Sequence, residues 1–149
     1  LALSADIVIA AEHATFALPE IRSGTLADAA TLKLPKRIPY HIAMEMLFTG
    51  RVLTAEEGAR WGFVNRTVPA DQLMEEARTL ASELASGPPL VFAAIKEVVR
   101  EAEVMGFQQA LDRVNRQQFA TVKTLYNSED QLEGARAFAE KRDPEWKGR

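Results

Sequence analysis

Cysteine is absent from this chain of 149 residues. That excludes a thiol nucleophile, disulfide staples and thiolate metal sites. Histidine is nearly absent. His13 and His41 are too few for a histidine-built zinc or iron centre without much help from carboxylates, so no metal site is expected. An excess of positive charge is also missing. Lys and Arg number 18 against 21 Asp and Glu, a net -3, whereas gripping a nucleic-acid backbone needs a basic field. No apolar run reaches the roughly 18 residues of a membrane span, and no basic start followed by an apolar stretch marks a signal peptide. A cytoplasmic protein is the default expectation. The chain also has no initiator methionine. It opens at Leu1 inside an apolar run, which suggests a cut inside a domain and an N-terminal remainder.

What is present has the balance of an ordinary globular protein, 47% hydrophobic and 26% charged, with enough length for one domain and a real core. Leu1 to Ala5 is small and apolar and reads as the tail of a helix. Ile7 to Ala10 is β-branched and reads as a buried strand, and Ala14 to Leu18 as a second extended piece ended by Pro19. Residues 19–28, with Pro19, Gly24 and Asp28, read as a loop feeding a short helix through Leu34 that Asp28 would cap. Tyr40 to Phe48 predicts a helix stopped by Gly50. Thr54 and Glu57 have capping-box spacing, and their helix ends near Gly62. Val64 to Val68 is a candidate strand. Leu73, Ala77, Leu80 and Leu84 predict a helix ended by Gly87-Pro88-Pro89. Val91 to Val99 predicts another, and Phe107, Leu111, Val114 and Leu125 one long helix. Ser128 and Gln131 repeat the capping-box spacing before a last helix with Leu132, Ala135 and Phe138 on one side. Two short strands make no stable sheet alone, so further strands are expected upstream.

Several runs are more specific. They are Leu1-Ala-Leu-Ser-Ala-Asp6-Ile-Val-Ile-Ala10, Ala14-Thr-Phe-Ala-Leu-Pro-Glu20-Ile with Gly24, and Leu34-Pro-Lys-Arg37. Further along come Ala43-Met-Glu-Met-Leu-Phe-Thr-Gly50-Arg, Ala55-Glu-Glu-Gly-Ala-Arg-Trp-Gly62-Phe-Val-Asn65, Pro88-Pro89-Leu and Ala94-Ile-Lys96. Their order and spacing resemble the crotonase (enoyl-CoA hydratase/isomerase) superfamily over the whole chain. The ending, Ala137 to Arg149, resembles its carnitinyl-CoA dehydratase branch. The resemblance implies an α/β fold: residues 1–87 as the C-terminal part of a ββα spiral, and residues 88–149 as a helical region that assembles trimers or hexamers. It implies an acyl-CoA thioester as substrate and no cofactor beyond the CoA that the substrate carries. The thioester oxygen would sit between two backbone N–H groups that stabilise an enolate, both upstream of Leu1.

Hydratases of this kind divide acid and base work between two glutamates. The second, in a Pro-Glu pair, maps onto Glu20; the first falls just before Leu1. Framed by Phe16, Leu18 and Ile21, the Glu20 carboxyl suits proton transfer at Cα of an enoyl thioester, and Ile21 would line the same site. Gly24 reads as a tight-turn residue. The family often follows it with a proline and paired glycines, but Thr25-Leu-Ala-Asp28-Ala-Ala-Thr31 has neither and is one residue shorter. That departure leaves the acyl group open. Asp28 either caps its helix, which its position favours, or contacts a polar acyl group such as a trimethylammonium. Phe138 and Lys141 match positions where a C-terminal helix reaches the CoA adenine and phosphate, sometimes in a neighbouring subunit; helix packing and a surface charge are the alternative. Lys33, Lys36 and Arg37 read as a solvated basic face before a phosphate contact, Trp61-Gly62 as packing, and the histidines as surface residues. Three functions compete: hydration or dehydration of enoyl-CoA, double-bond isomerisation with one carboxylate, and a non-catalytic oligomerising fragment.

Overall fold

The computed structural model describes residues 1–149, in two compact units, Leu1–Leu80 and Ala81–Arg149. All four strands are in the first unit. After a 3₁₀ turn at Ala2–Ser4, where a helix tail is expected, come β1 (Ile9–Ala11), β2 (Thr15–Phe16) and a 3₁₀ turn at Pro19–Ser23. Helix α1 (Ala29–Lys33), a 3₁₀ turn at Leu34–Lys36, α2 (Tyr40–Thr49), β3 (Leu53–Thr54), α3 (Ala55–Arg60) and β4 (Arg66–Val68) follow, and α4 (Leu73–Ala85) crosses the division. β1 pairs in parallel with β4, Ala10 opposite Thr67, and β2 pairs antiparallel with β3, Phe16 opposite Leu53. Asn65 lengthens the first ladder: its N–H reaches Val8 O and its Oδ1 accepts from Val8 N, both at 2.8 Å. β3 is too short for any pattern in the sequence to announce it.

The core of this unit gathers Ala10, Leu34, Ile38, Ala43, Met46, Leu53, Ala55, Phe63 and Val64, with Phe16 set edge-on to Phe63 at 4.9 Å. The predicted capping box is complete. Thr54 Oγ1 accepts from Glu57 N at 3.1 Å, and Glu57 Oε2 accepts from Thr54 N at 3.2 Å. That backbone bond, with Arg51 beside it, holds the Glu57 carboxyl below its ordinary range against the opposing effect of burial.

The second unit is helical: α5 (Pro89–Ala102), α6 (Phe107–Asn115), α7 (Ala120–Tyr126) and α8 (Glu129–Glu140). The single long helix expected from Phe107 to Leu125 is two. The chain breaks after Asn115, with Gln117 at φ 50°. The break buries Phe119 and Val122 against Ala94 of α5. Glu97 then supplies α7 with its cap, accepting from Ala120 N at 3.3 Å and Thr121 N at 2.7 Å and from the Thr121 hydroxyl. Arg113 lies 4.4 Å above the Phe119 ring and pairs with Glu101 at 3.0 Å.

Ser128 caps α8 through its Oγ, which accepts from Gln131 N at 3.1 Å. It is a one-way cap rather than the reciprocal box its spacing suggests. The residues after α8 turn back along the helix. Arg142 grips Glu133 at 2.6 and 3.0 Å, and Glu133 also accepts from Glu145 N at 3.0 Å. Asp130, only 3% exposed, accepts from Lys147 N and Gly148 N at 2.8 Å each. A β-carbon on Gly134 would stand 3.2 Å from the Trp146 ring, so glycine there is what lets the indole lie on the helix. No helix of the chain is long and apolar enough to cross a membrane.

Candidate active site

Glu20 is the second residue of the Pro19–Ser23 turn. The expected open loop is instead wound into 3₁₀ geometry. Pro19 starts it well, because a first helical position has no use for an N–H and suits a fixed φ. Gly24 ends it at φ 70°, ψ 23°, donating to Ile21 O at 3.1 Å. A β-carbon there would meet nothing within 4 Å. Backbone conformation, not space, is therefore what favours glycine, as expected for a tight turn. Thr25 clamps the far side: its N–H and its hydroxyl both donate to Glu20 O at 3.2 Å.

The near side of the turn rests on the end of α2. Gly50 closes that helix at φ 61°, and its Cα face is crowded. A β-carbon would stand 3.1 Å from Ile21 Cγ2, 3.4 Å from Arg22 Nε and 3.5 Å from Leu18 O. Arg22 reaches across to donate from Nη2 to Gly50 O at 3.2 Å.

Within this frame the Glu20 side chain is half-buried, and its Oε2 is shut off from solvent without a hydrogen-bond partner. Among the described residues one other side-chain oxygen shares this condition, Thr31 Oγ1 on α1. Leaving a buried acceptor unsatisfied costs about 1–3 kcal/mol, so folded proteins keep few such groups, often where a ligand supplies the missing bond. Both lie in one short segment of the chain. The same segment leaves Ile21, Leu26 and Leu32 exposed.

Asp28 does not cap α1 as expected. Its side chain makes no cap hydrogen bond, and its backbone sits at φ 41°, ψ -119°. An N-cap needs extended backbone geometry to aim its oxygen at the following amides. Here Ala30 N bonds Ala27 O at 2.8 Å, and Asp28 holds the first central position of a type II′ turn, where glycine is preferred. Its carboxylate is free of the helix and exposed.

Phe138 and Lys141 lie at the end of α8 in the second unit. Phe138 is 88% exposed, and Lys141 closes the helix in the left-handed region at φ 55°. Both histidines are exposed, His41 with its ring edge-on to Tyr40 at 5.7 Å. Lys33 Nζ bonds Ser4 Oγ at 2.8 Å, and Trp61 packs on the first core. Arg22 and Thr31 carry no signal in the sequence, and Gly50 signals only a helix stop. Nothing local signals the Arg22–Gly50 tie, whose partners are 28 positions apart.

The family described as enoyl-CoA hydratase/isomerase matches residues 1–149. Carnitinyl-CoA dehydratase of Salmonella heidelberg is 47% identical over 150 residues, an alignment covering 100% of this chain and 58% of that protein. The crystal structure of an enoyl-CoA hydratase from Geobacillus kaustophilus superposes with a TM-score of 0.90 at 38% identity, over 99% of this chain and 56% of that one. The enoyl-CoA hydratase EchA1 of Mycobacterium marinum gives a TM-score of 0.87 at 36% identity, over 99% and 59%. The chain thus spans somewhat over half the length of the relatives it matches.

Proposed function

The chain belongs to the enoyl-CoA hydratase/isomerase family, and from that premise we propose that the complete protein hydrates 2-enoyl-CoA thioesters or dehydrates the 3-hydroxy products, with Glu20 as the acid/base at Cα. The observation that carries the assignment is the buried Glu20 Oε2 without a partner. In hydration, the water oxygen bonds to Cβ and the π electrons move onto the thioester oxygen, where upstream backbone N–H groups hold the enolate. Glu20 gives its proton to Cα, and a second carboxylate, upstream of Leu1, takes the proton from water. Dehydration runs the same steps backwards. No cofactor is needed beyond the CoA of the substrate.

Asp28 is a candidate contact for a cationic acyl group. In support, its carboxylate is not used by α1 and its backbone is held in an unfavourable conformation, as residues at functional sites often are. Ile21 and Gly24 would line the same acyl site. Phe138 and Lys141 would meet adenine and phosphate of CoA, in a homotrimer or hexamer acting in the cytoplasm; the exposure of Phe138 agrees with such a role.

The test is Glu20→Gln in the full-length protein, assayed with crotonyl-CoA and crotonobetainyl-CoA. Hydration should fall about 100-fold or more, with an unchanged circular dichroism spectrum. Wild-type turnover in that variant rules the assignment out. A wild-type protein that moves the double bond of 3-enoyl-CoA but hydrates neither substrate is an isomerase instead.

A further inference from the structure

We infer that Arg22 is a positioning residue for Glu20, holding the catalytic turn against the end of α2; this rests on the assignment of Glu20 made above. The turn has only five residues, Pro19–Ser23, too few to be rigid by its own hydrogen bonds. Its stiffness comes from two sides. Thr25 fixes the Glu20 carbonyl through two donors at 3.2 Å. On the other side Leu18, Ile21 and Arg22, which flank Glu20 before and after, all converge on the bare Cα of Gly50. Packing alone leaves the turn free to slide along that smooth surface. The one directional contact across it is Arg22 Nη2 to Gly50 O at 3.2 Å. The carbonyl that receives it belongs to the left-handed residue ending α2, where helix carbonyls lack partners of their own and a cation is welcome.

A carboxylate displaced by about 1 Å loses on the order of 100-fold in rate, because proton transfer needs the donor and Cα in near-attack geometry. A positioning residue of this kind acts on kcat and leaves ground-state binding alone. Only one N–H of the guanidinium makes the tie, so a lysine can replace it.

The experiment uses the full-length enzyme with whichever enoyl-CoA it turns over. Arg22→Ala should lower kcat about 10- to 100-fold with KM within about twofold. Arg22→Lys should recover kcat to within about threefold of wild type. Introduced into Glu20→Gln, Arg22→Ala should cost little more, because there is no longer a carboxylate to aim. Gly50→Ala, which pushes on Ile21 and Arg22, should copy the kcat loss if it folds; the Arg22 series stands without it. A raised KM at unchanged kcat overturns the inference, since Arg22 would then hold substrate. So does an undiminished effect of Arg22→Ala in the Glu20→Gln background, or no effect of Arg22→Ala at all. Should Glu20→Gln itself keep full activity, the assignment of Glu20 falls first. If Glu20→Gln is dead and Arg22→Ala is wild type, only the positioning role falls.

Discussion

Asp130→Ala should detach the end of the chain from α8. The carboxylate is buried and accepts two backbone N–H groups, from Lys147 and Gly148, at 2.8 Å each. A hydrogen bond to a charged group is worth about 1.5–3 kcal/mol by substitution. The two bonds share one acceptor, and the freed N–H groups belong to exposed residues that water can reach, so simple doubling is an upper bound. Alanine is the better helix former by roughly half a kcal/mol, but a negative charge in the first turn of α8 contributes a similar amount with the opposite sign. These nearly cancel, leaving an expected loss of about 2–4 kcal/mol. Asp130→Asn keeps one acceptor oxygen and should lose about half as much. Trp61 and Trp146 are the only tryptophans, so in a Trp61→Phe background the emission of Trp146, which lies on Gly134, reports the tail alone. Urea titration of that signal gives the stability change, and amide exchange at Lys147 and Gly148 gives the local opening. A loss under about 0.5 kcal/mol, or unchanged exchange at both amides, would refute the reasoning.

Two further outcomes follow from neighbouring geometry. The Arg142 guanidinium, and after it the N–H of Glu145, hold the Glu133 carboxyl down at about 2 against the opposing effect of burial. A depressed carboxylate stabilises in full above its ordinary value of 4.5 and loses that contribution as pH falls toward about 2. Trp146 fluorescence should therefore show the tail loosening across this window, and Glu133→Gln should abolish that step. Asp28→Gly should relieve the positive-φ backbone at 28 and stabilise the chain by about 1 kcal/mol in thermal unfolding. In the full-length enzyme it should lower kcat/KM for crotonobetainyl-CoA more than for crotonyl-CoA; equal effects on both would remove Asp28 from the acyl site.

Features that depend on neighbours in the chain were legible in advance. The Thr54–Glu57 box and the stop of α2 at Gly50 each need only three or four consecutive residues to specify them. Gly24 was legible through its place in the turn. The break between α6 and α7 was missed because Val114 and Leu125 share one helical face. Phe119, five positions past Val114, would fall about 140° around the same helix, and burying it requires the chain to turn. Asp28 fits an N-cap by composition, but the turn closing on Ala27 sets its backbone first. The isolation of Glu20 Oε2, the Arg22–Gly50 bond and the grip of Asp130 on Lys147 depend on which distant atoms arrive alongside, and no local spacing encodes that.

The parallel pairing of β1 with β4 has a consequence for the order of folding. Ile9 meets Arg66, 66 − 9 = 57 positions later, and the crossover between them contains the Glu20 turn, α1, α2 and α3. A loop of that length must be closed before the ladder returns any free energy. In the second unit α5 packs chiefly on α7, with Ala94 and Phe119 of their shared core only 119 − 94 = 25 positions apart, a far shorter loop to close. The α5–α7 core should therefore form first, and the Glu20 turn should be seated late, when the two ends of the crossover meet.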